Sequence, residues 1–171
     1  MVGKSFLLAC IVGALAFAAA GCGGDDKGGG GGEPLTKPEF ISQADAICKK
    51  YEEKGESIKP EGLPSDFDPT SPNATDEQLD KFGDFIEEVV DVFRGEVDEL
   101  RDLTPPADFQ TDYNRALELL DETGNEYEEA SEAAHDADRD KIKEKLEEAD
   151  RHSNDANKIA KDYGLKVCGA S

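Results

Sequence analysis

TDEQLDKFGDFIEEVVDVFRGEVDELRDLTPP, residues 75 to 106, is the stretch that decides the fold. Thr75 and Gln78 have the spacing of a capping box, in which two side chains reciprocally satisfy the free N–H groups that open a helix. From there Leu79, Phe82, Ile86, Val89, Val90, Phe93, Val97, Leu100 and Leu103 recur at intervals of three and four, the signature of one helical face. Thr104-Pro105-Pro106 stops the helix. An apolar stripe this long needs other helices to cover it.

The flanking sequence supplies them. Upstream, Leu35 and Thr36 open a helix: Thr36 with Glu39 repeats the capping-box spacing and Leu35 can staple onto Phe40. Phe40, Ile41, Ala44, Ile47, Cys48 and Tyr51 share its apolar face. Between Gly55 and Asn73, Pro60, Gly62, Pro64, Pro69 and Pro72 break the periodicity and make a long loop, with Leu63 and Phe67 expected to lie against the helices. Loops of that length in small domains often carry function. Downstream, Pro106 or its predecessor is expected in the first turn of a third helix, where a missing N–H costs nothing. Phe109, Tyr113, Ala116, Leu117, Leu120, Tyr127, Ala130 and Ala134 form the apolar face of that helix. Asp138 is a candidate N-cap for a fourth helix through Ile142, Leu146, Ala149, Ala156, Ile159 and Tyr163, and Gly164 a left-handed C-cap followed by the apolar Leu165. Four amphipathic helices with two short connections predict an all-α, antiparallel four-helix bundle over residues 35–171.

The chain starts differently. Lys4, the apolar run Phe6 to Ala20 and the small residues before Cys22 have the order of a bacterial lipoprotein signal peptide, residues 1–21, with Cys22 as the lipidated first residue of the mature protein. The run is about fifteen residues, short of the roughly twenty that span a bilayer. Residues 22–34 are a flexible linker built on five consecutive glycines, Gly28 to Gly32. The expected location is therefore the extracytoplasmic face of the cell membrane, held by lipid.

With Cys10 lost in the leader and Cys22 used by lipid, the folded part keeps Cys48 and Cys168. Two thiols near the two ends of an exported domain are most simply a disulfide. A metal thiolate pair or a redox dithiol needs closer cysteines or a neighbouring histidine. If the first and fourth helices are antiparallel neighbours, the tail after Gly164 must fold back two to three helical turns along the first helix for Cys168 to reach Cys48.

Charge narrows the partners. The chain carries 19 Lys and Arg against 40 Asp and Glu, a formal net charge of −21 that grows by one when Lys4 leaves. It has no basic stripe to neutralise phosphates, which excludes nucleic acid, and anionic lipid would repel it, leaving acyl chains as the means of holding a membrane.

Ala44-Asp45-Ala46-Ile47-Cys48, Leu103-Thr104-Pro105-Pro106-Ala107 and Tyr163-Gly164-Leu165-Lys166-Val167-Cys168-Gly169 together resemble a pattern in small secreted or lipid-anchored helical proteins of actinobacteria and their relatives. The resemblance covers about residues 39 to 169. It implies paired cysteines and a helical fold, and it brings no catalytic residues because no activity is established for that group.

Three constellations remain as candidate chemistry. Glu132 and His135 have the Glu-x-x-His spacing that di-iron bundles use twice, but it occurs once here, since His152 has Ala149 at the matching position and Glu148 only one turn away. Asp136, Asp138, Asp140, Glu144 and Glu147 match positions one, three, five, nine and twelve of a calcium loop, with Lys141 where that loop needs glycine. Asp80, Asp84, Glu87, Glu88 and Asp91 repeat like charges down one helix face, which weakens an isolated helix. No Ser-His-Asp set, phosphate loop, haem-attachment pair or zinc cluster is present. The sequence thus points to a non-catalytic, lipid-anchored module that binds a protein or small-molecule partner, without a cofactor, and in second place to a calcium-binding protein.

Overall fold

The computed structural model describes residues 33–170. The segment expected to be a signal peptide, Cys22 and the glycine run lie outside the described residues. Four helices form most of the described chain: α1 Lys37–Ser57, α2 Asp76–Arg101, α3 Gln110–His135 and α4 Arg139–Tyr163. Local chemistry sets their ends. The Glu39 carboxylate accepts the Thr36 N–H at 3.0 Å, and Gln78 accepts the Thr75 N–H at 3.0 Å while Thr75 Oγ1 accepts the Gln78 N–H at 3.3 Å. Asp138 caps α4 by accepting the Lys141 N–H at 3.1 Å. At the other end of α4, Gly164 adopts φ 110°, and Leu165 and Gly164 donate to the carbonyls of Ala160 and Lys161, a Schellman closure.

α3 starts later than its prolines suggest. Pro105 and Pro106 are buried in the connection, where the Pro106 carbonyl accepts the Phe109 N–H at 2.9 Å, and Phe109 becomes the N-cap of a helix that begins at Gln110. The proline pair makes a turn before α3 in place of its first turn.

Each helix is antiparallel to the next, so one end of the bundle collects the start of α1, the end of α2, the start of α3 and the end of α4. There Phe40, Ala44, Cys48, Val97, Leu100, Phe109, Tyr113, Leu117 and Leu165 form one core. It is built on aromatic rings: Phe40 meets Tyr113 edge-on at 5.0 Å between centroids, and Phe109 stacks on Tyr163 at 3.6 Å. The opposite end has a second core of Ala74, Leu79, Ala133, Ala134 and Ile142, with Phe67 and Phe82 packed against it. Its alanines let the backbones of α3 and α4 approach. The 58–74 loop closes this end, where Phe67 lies against Phe82 and the Arg139 guanidinium donates to the carbonyls of Ser71 and Ala74.

Among the described residues helix packs on helix in three pairs, α1 on α2, α2 on α3 and, most extensively, α3 on α4. α1 and α4 meet differently. Phe40 and Lys37 of α1 meet the Tyr163 ring at the end of α4, Lys37 Nζ lying 3.9 Å from its centroid, and the tail joins the two helices further along, its Cys168 bonded to Cys48 with Cα atoms 5.3 Å apart. The expected disulfide is present. The expected direct packing of α1 against α4 is corrected, because residues 165–170 occupy part of the space between them. No helix among the described residues is long and apolar enough to cross a membrane.

Candidate functional site

The tail is clasped on both sides. On the α1 side Asp45, one turn before Cys48, accepts the N–H groups of Lys166 at 3.0 Å and Val167 at 2.9 Å, with Cys168 N–H at 3.4 Å. Successive amides converging on one carboxylate make a fixed, charge-assisted hold. On the α4 side Gly169 is buried so close to Lys161 that a Cβ would come within 2.8 Å of its backbone nitrogen. The three segments that carry the sequence resemblance all converge at this end. Asp45 and Cys48 hold the tail, the Thr104 carbonyl accepts the Leu35 N–H at 3.0 Å, and the Tyr163 to Gly169 segment is the tail itself with the ring that stacks on Phe109.

Beside this staple is a cavity of about 470 Å³. The second half of α1 and the middle of α4 border it, α2 and α3 lie behind them, and Leu165, Val167 and the disulfide close one end. Val89, Phe93 and Leu120, which periodicity assigns to the core, line the cavity and stay half-buried. Their stripe faces inward, and although Phe93 meets Tyr127 of α3 edge-on at 6.3 Å, part of each of these side chains is left facing the cavity. The volume and the apolar walls fall in the range of small-molecule sites.

The polar groups in the wall are few and one-sided. Glu52 and Glu96 are its charged residues, with Tyr51, Tyr113, Ser153 and Asn157 the principal neutral ones. The Tyr51 hydroxyl donates to Glu99 Oε1 at 2.7 Å, and that same oxygen accepts from Lys50 Nζ at 2.5 Å, so Glu99 sits well below the usual carboxylate range. The Tyr113 hydroxyl donates to the Leu100 carbonyl. Glu96 is different. It is half-buried, and burial together with the nearby Glu52 charge pushes its carboxyl up to about 7. Sequence reasoning missed Glu96 and gave Asp45, quoted within the Ala44 to Cys48 segment, no role of its own. Each looks like one surface acid among 40.

The other candidate residues are placed elsewhere. Asp136, Asp138, Asp140, Glu144 and Glu147 do not make a calcium loop: Asp136 closes α3, Asp138 caps α4, and Asp140, Glu144 and Glu147 lie within regular helix, Glu147 beside Lys143 at 3.8 Å. A strong cap at Asp138 and good helix formers after it leave a turn too short to wrap a cation. Glu132 and His135 also part company. His135 turns from α3 toward α2, where its Nδ1 lies 2.7 Å from Asp80 and its Nε2 3.6 Å from Glu87. Gly83 makes room, since a Cβ there would meet the ring at 2.7 Å. Among the described residues Asp84, Glu87 and His135 bring ligating atoms within 4.8 Å of one another, all exposed. The hydrogen bond to Asp80 raises the His135 pKa, burial opposes it, and the charges of Asp80, Glu87 and Asp84 add to the rise. His152 joins no second set, because Glu148 is bound to Lys145 at 3.0 Å, and Lys145 also holds Glu126 at 2.9 Å and Glu129 at 3.1 Å.

Among the described residues the cavity is lined by no assembled nucleophile and base, and its chemistry is that of burial and charge pairing. No family model, curated protein or solved structure matches this chain.

Proposed function

We propose that this protein is a non-catalytic binding module, anchored through Cys22 at the extracytoplasmic face of the membrane, that takes a small, mainly apolar molecule into the cavity between α1 and α4. The observation that carries the reading is the cavity itself, about 470 Å³ of mostly apolar space beside a disulfide and a clasped tail. A void between freely moving helices would close under the gain from burying its walls, roughly 25 cal/mol per Å². The staple resists that closure by fixing the end of the cavity. The leader and glycine linker support the location, since a tether gives the bundle room to stand off the headgroups.

A neutral solvatochromic dye such as Nile red tests the binding reading. It should bind the wild-type chain with defined stoichiometry, and Ala160→Phe, which puts a ring into the cavity from α4, should abolish binding while the helical signal persists. Equal dye binding by wild type and Ala160→Phe overturns the reading. The anchoring reading is tested by fractionation: Cys22→Ala should leave the membrane fraction or accumulate as precursor, and a mature N-terminus beyond Cys22 in native membranes would sink it.

A further inference from the structure

The cavity wall is apolar over most of its surface and acidic where it is not. Among the described residues its charged groups are Glu52 on α1 and Glu96 on α2, and no lysine, arginine or histidine lines it. The bases nearby are already committed on the outer side of α1, Lys50 to Glu99 at 2.5 Å and Lys54 over the Tyr51 ring at 4.0 Å from its centroid. Among the described residues Glu52 is the charge that acts on Glu96, and the other lining elements bring uncharged groups. Ser153 and Asn157 come from α4, Leu117 and Leu120 from α3, and the hydroxyls of Tyr51 and Tyr113 are used by Glu99 and the Leu100 carbonyl. Among the described residues Glu96 has neither a hydrogen-bond donor nor an ion-pair partner, although α1 and the cavity wall half-bury it.

A carboxylate in that position costs free energy unless a cation or a proton joins it. An anionic amphiphile such as a fatty acid would add a third negative charge beside Glu52 and Glu96. A neutral one would leave both carboxylates unpaired. An alkylamine would bury its chain on Val89, Phe93 and Leu120 and set its ammonium between the two acids. We infer that the cavity selects a cationic amphiphile, an apolar body carrying a protonated amine that pairs with Glu96 and Glu52. This rests on the cavity being a binding site and adds the charge of its ligand. The burial that raises the Glu96 carboxyl to about 7 makes a proton the competitor of the ammonium, so the ion pair forms fully only above that pH.

Decylamine, decanol and decanoate, matched in chain length, separate the possibilities when titrated calorimetrically into the purified full chain at pH 8 and physiological ionic strength. Decylamine should bind about tenfold or more tighter than decanol, with decanoate weakest. Glu96→Gln should bring the amine down to the alcohol's affinity without changing decanol binding, which also reports that the cavity is intact. Glu52→Gln should reduce the preference in part. Glu88→Gln, which removes an exposed charge on the outer face of α2, should leave it unchanged. Equal affinity for amine and alcohol in wild type overturns the inference and leaves the binding function standing, whereas failure of all three chains to bind removes the function itself. A preference for the amine that survives both Glu96→Gln and Glu52→Gln would be attraction to the net acidic surface and would equally overturn it.

Discussion

The two ends of this bundle solve the same packing problem with opposite materials. At the loop-covered end Ala133 and Ala134 of α3 face Ile142 of α4 and Leu79 of α2, all at most 1% exposed, and small side chains bring the helices together. At the stapled end Phe40, Phe109, Tyr113 and Tyr163 fill the core, the C-terminal tail enters between α1 and α4, and space remains beside it. Small residues close a helix interface. Large rings and an inserted tail hold one open, and then a covalent bond and a clasped carboxylate are needed to keep the open arrangement unique.

Cutting the bond should give the largest effect and separate the ends. Cys48 and Cys168 are 120 residues apart, and the chain-entropy model assigns a loop of that length about 4 to 5 kcal/mol. Cys168→Ser is therefore expected to lower Tm markedly with the helical signal retained below the transition. Hydrogen exchange in the variant should speed up first in α1, while Leu79 and Ile142 stay protected. Uniform acceleration at both ends would mean that they form one cooperative unit. Free thiols at both positions in native, non-reduced protein would remove the staple altogether.

The same truncation at the two ends should cost different amounts. Leu79 is wholly buried, so Leu79→Ala is expected to cost about 3 kcal/mol in denaturant unfolding. Leu120 lines the cavity and is half-buried, so Leu120→Ala has less surface and fewer contacts to lose and should cost about 1 kcal/mol. Equal costs would show that the cavity is closed in solution.

Asp45 comes next, and it also marks the limit of what the sequence made legible. Asp45→Ala removes a charged acceptor from several backbone N–H groups, so it should cost about 2 kcal/mol and make the tail of the disulfide-bonded protein protease-sensitive. Caps are local chemistry, which is why Thr36, Thr75, Asp138 and Gly164 could be read directly and the four helices with them. The disulfide was legible because, with Cys10 assigned to a leader and Cys22 to lipid, the sequence reading left two thiols to account for. Periodicity says which way Val89, Phe93 and Leu120 face but not how far off the opposing wall stands, so the cavity was hidden. The roles of Asp45 and Glu96 were hidden for a related reason: Asp45 finds its partners more than a hundred residues away along the chain, and the half-burial of Glu96 depends on packing that periodicity does not report. The Asp136 to Glu147 spacing misled because helix and calcium loop can share a pattern of acids, and the cap at Asp138 decides between them.

The smallest expected effects are slopes with pH, and they too assign one group to each end. Glu96, at the cavity, has its carboxyl raised from an ordinary value of 4.5 to about 7 by burial and by Glu52. The folded state therefore holds a proton that the unfolded state releases, and stability should fall as pH rises from about 4.5 to about 7. His135, at the loop-covered end, has its pKa raised above 6.5 chiefly by the hydrogen bond to Asp80, which outweighs the lowering effect of burial and is helped by the charges of Asp80, Glu87 and Asp84. Its contribution is complete below pH 6.5 and lost as pH climbs through the higher folded value. Both groups destabilise with rising pH, but in successive windows. Glu96→Gln should flatten the lower part of a plot of denaturation midpoint against pH, and His135→Gln the upper part. Bound decylamine should act on the lower window alone, because an ammonium beside Glu96 returns its carboxyl toward the ordinary range. An amine that moved the upper window instead would be bound at the acids around His135, at the wrong end of the bundle.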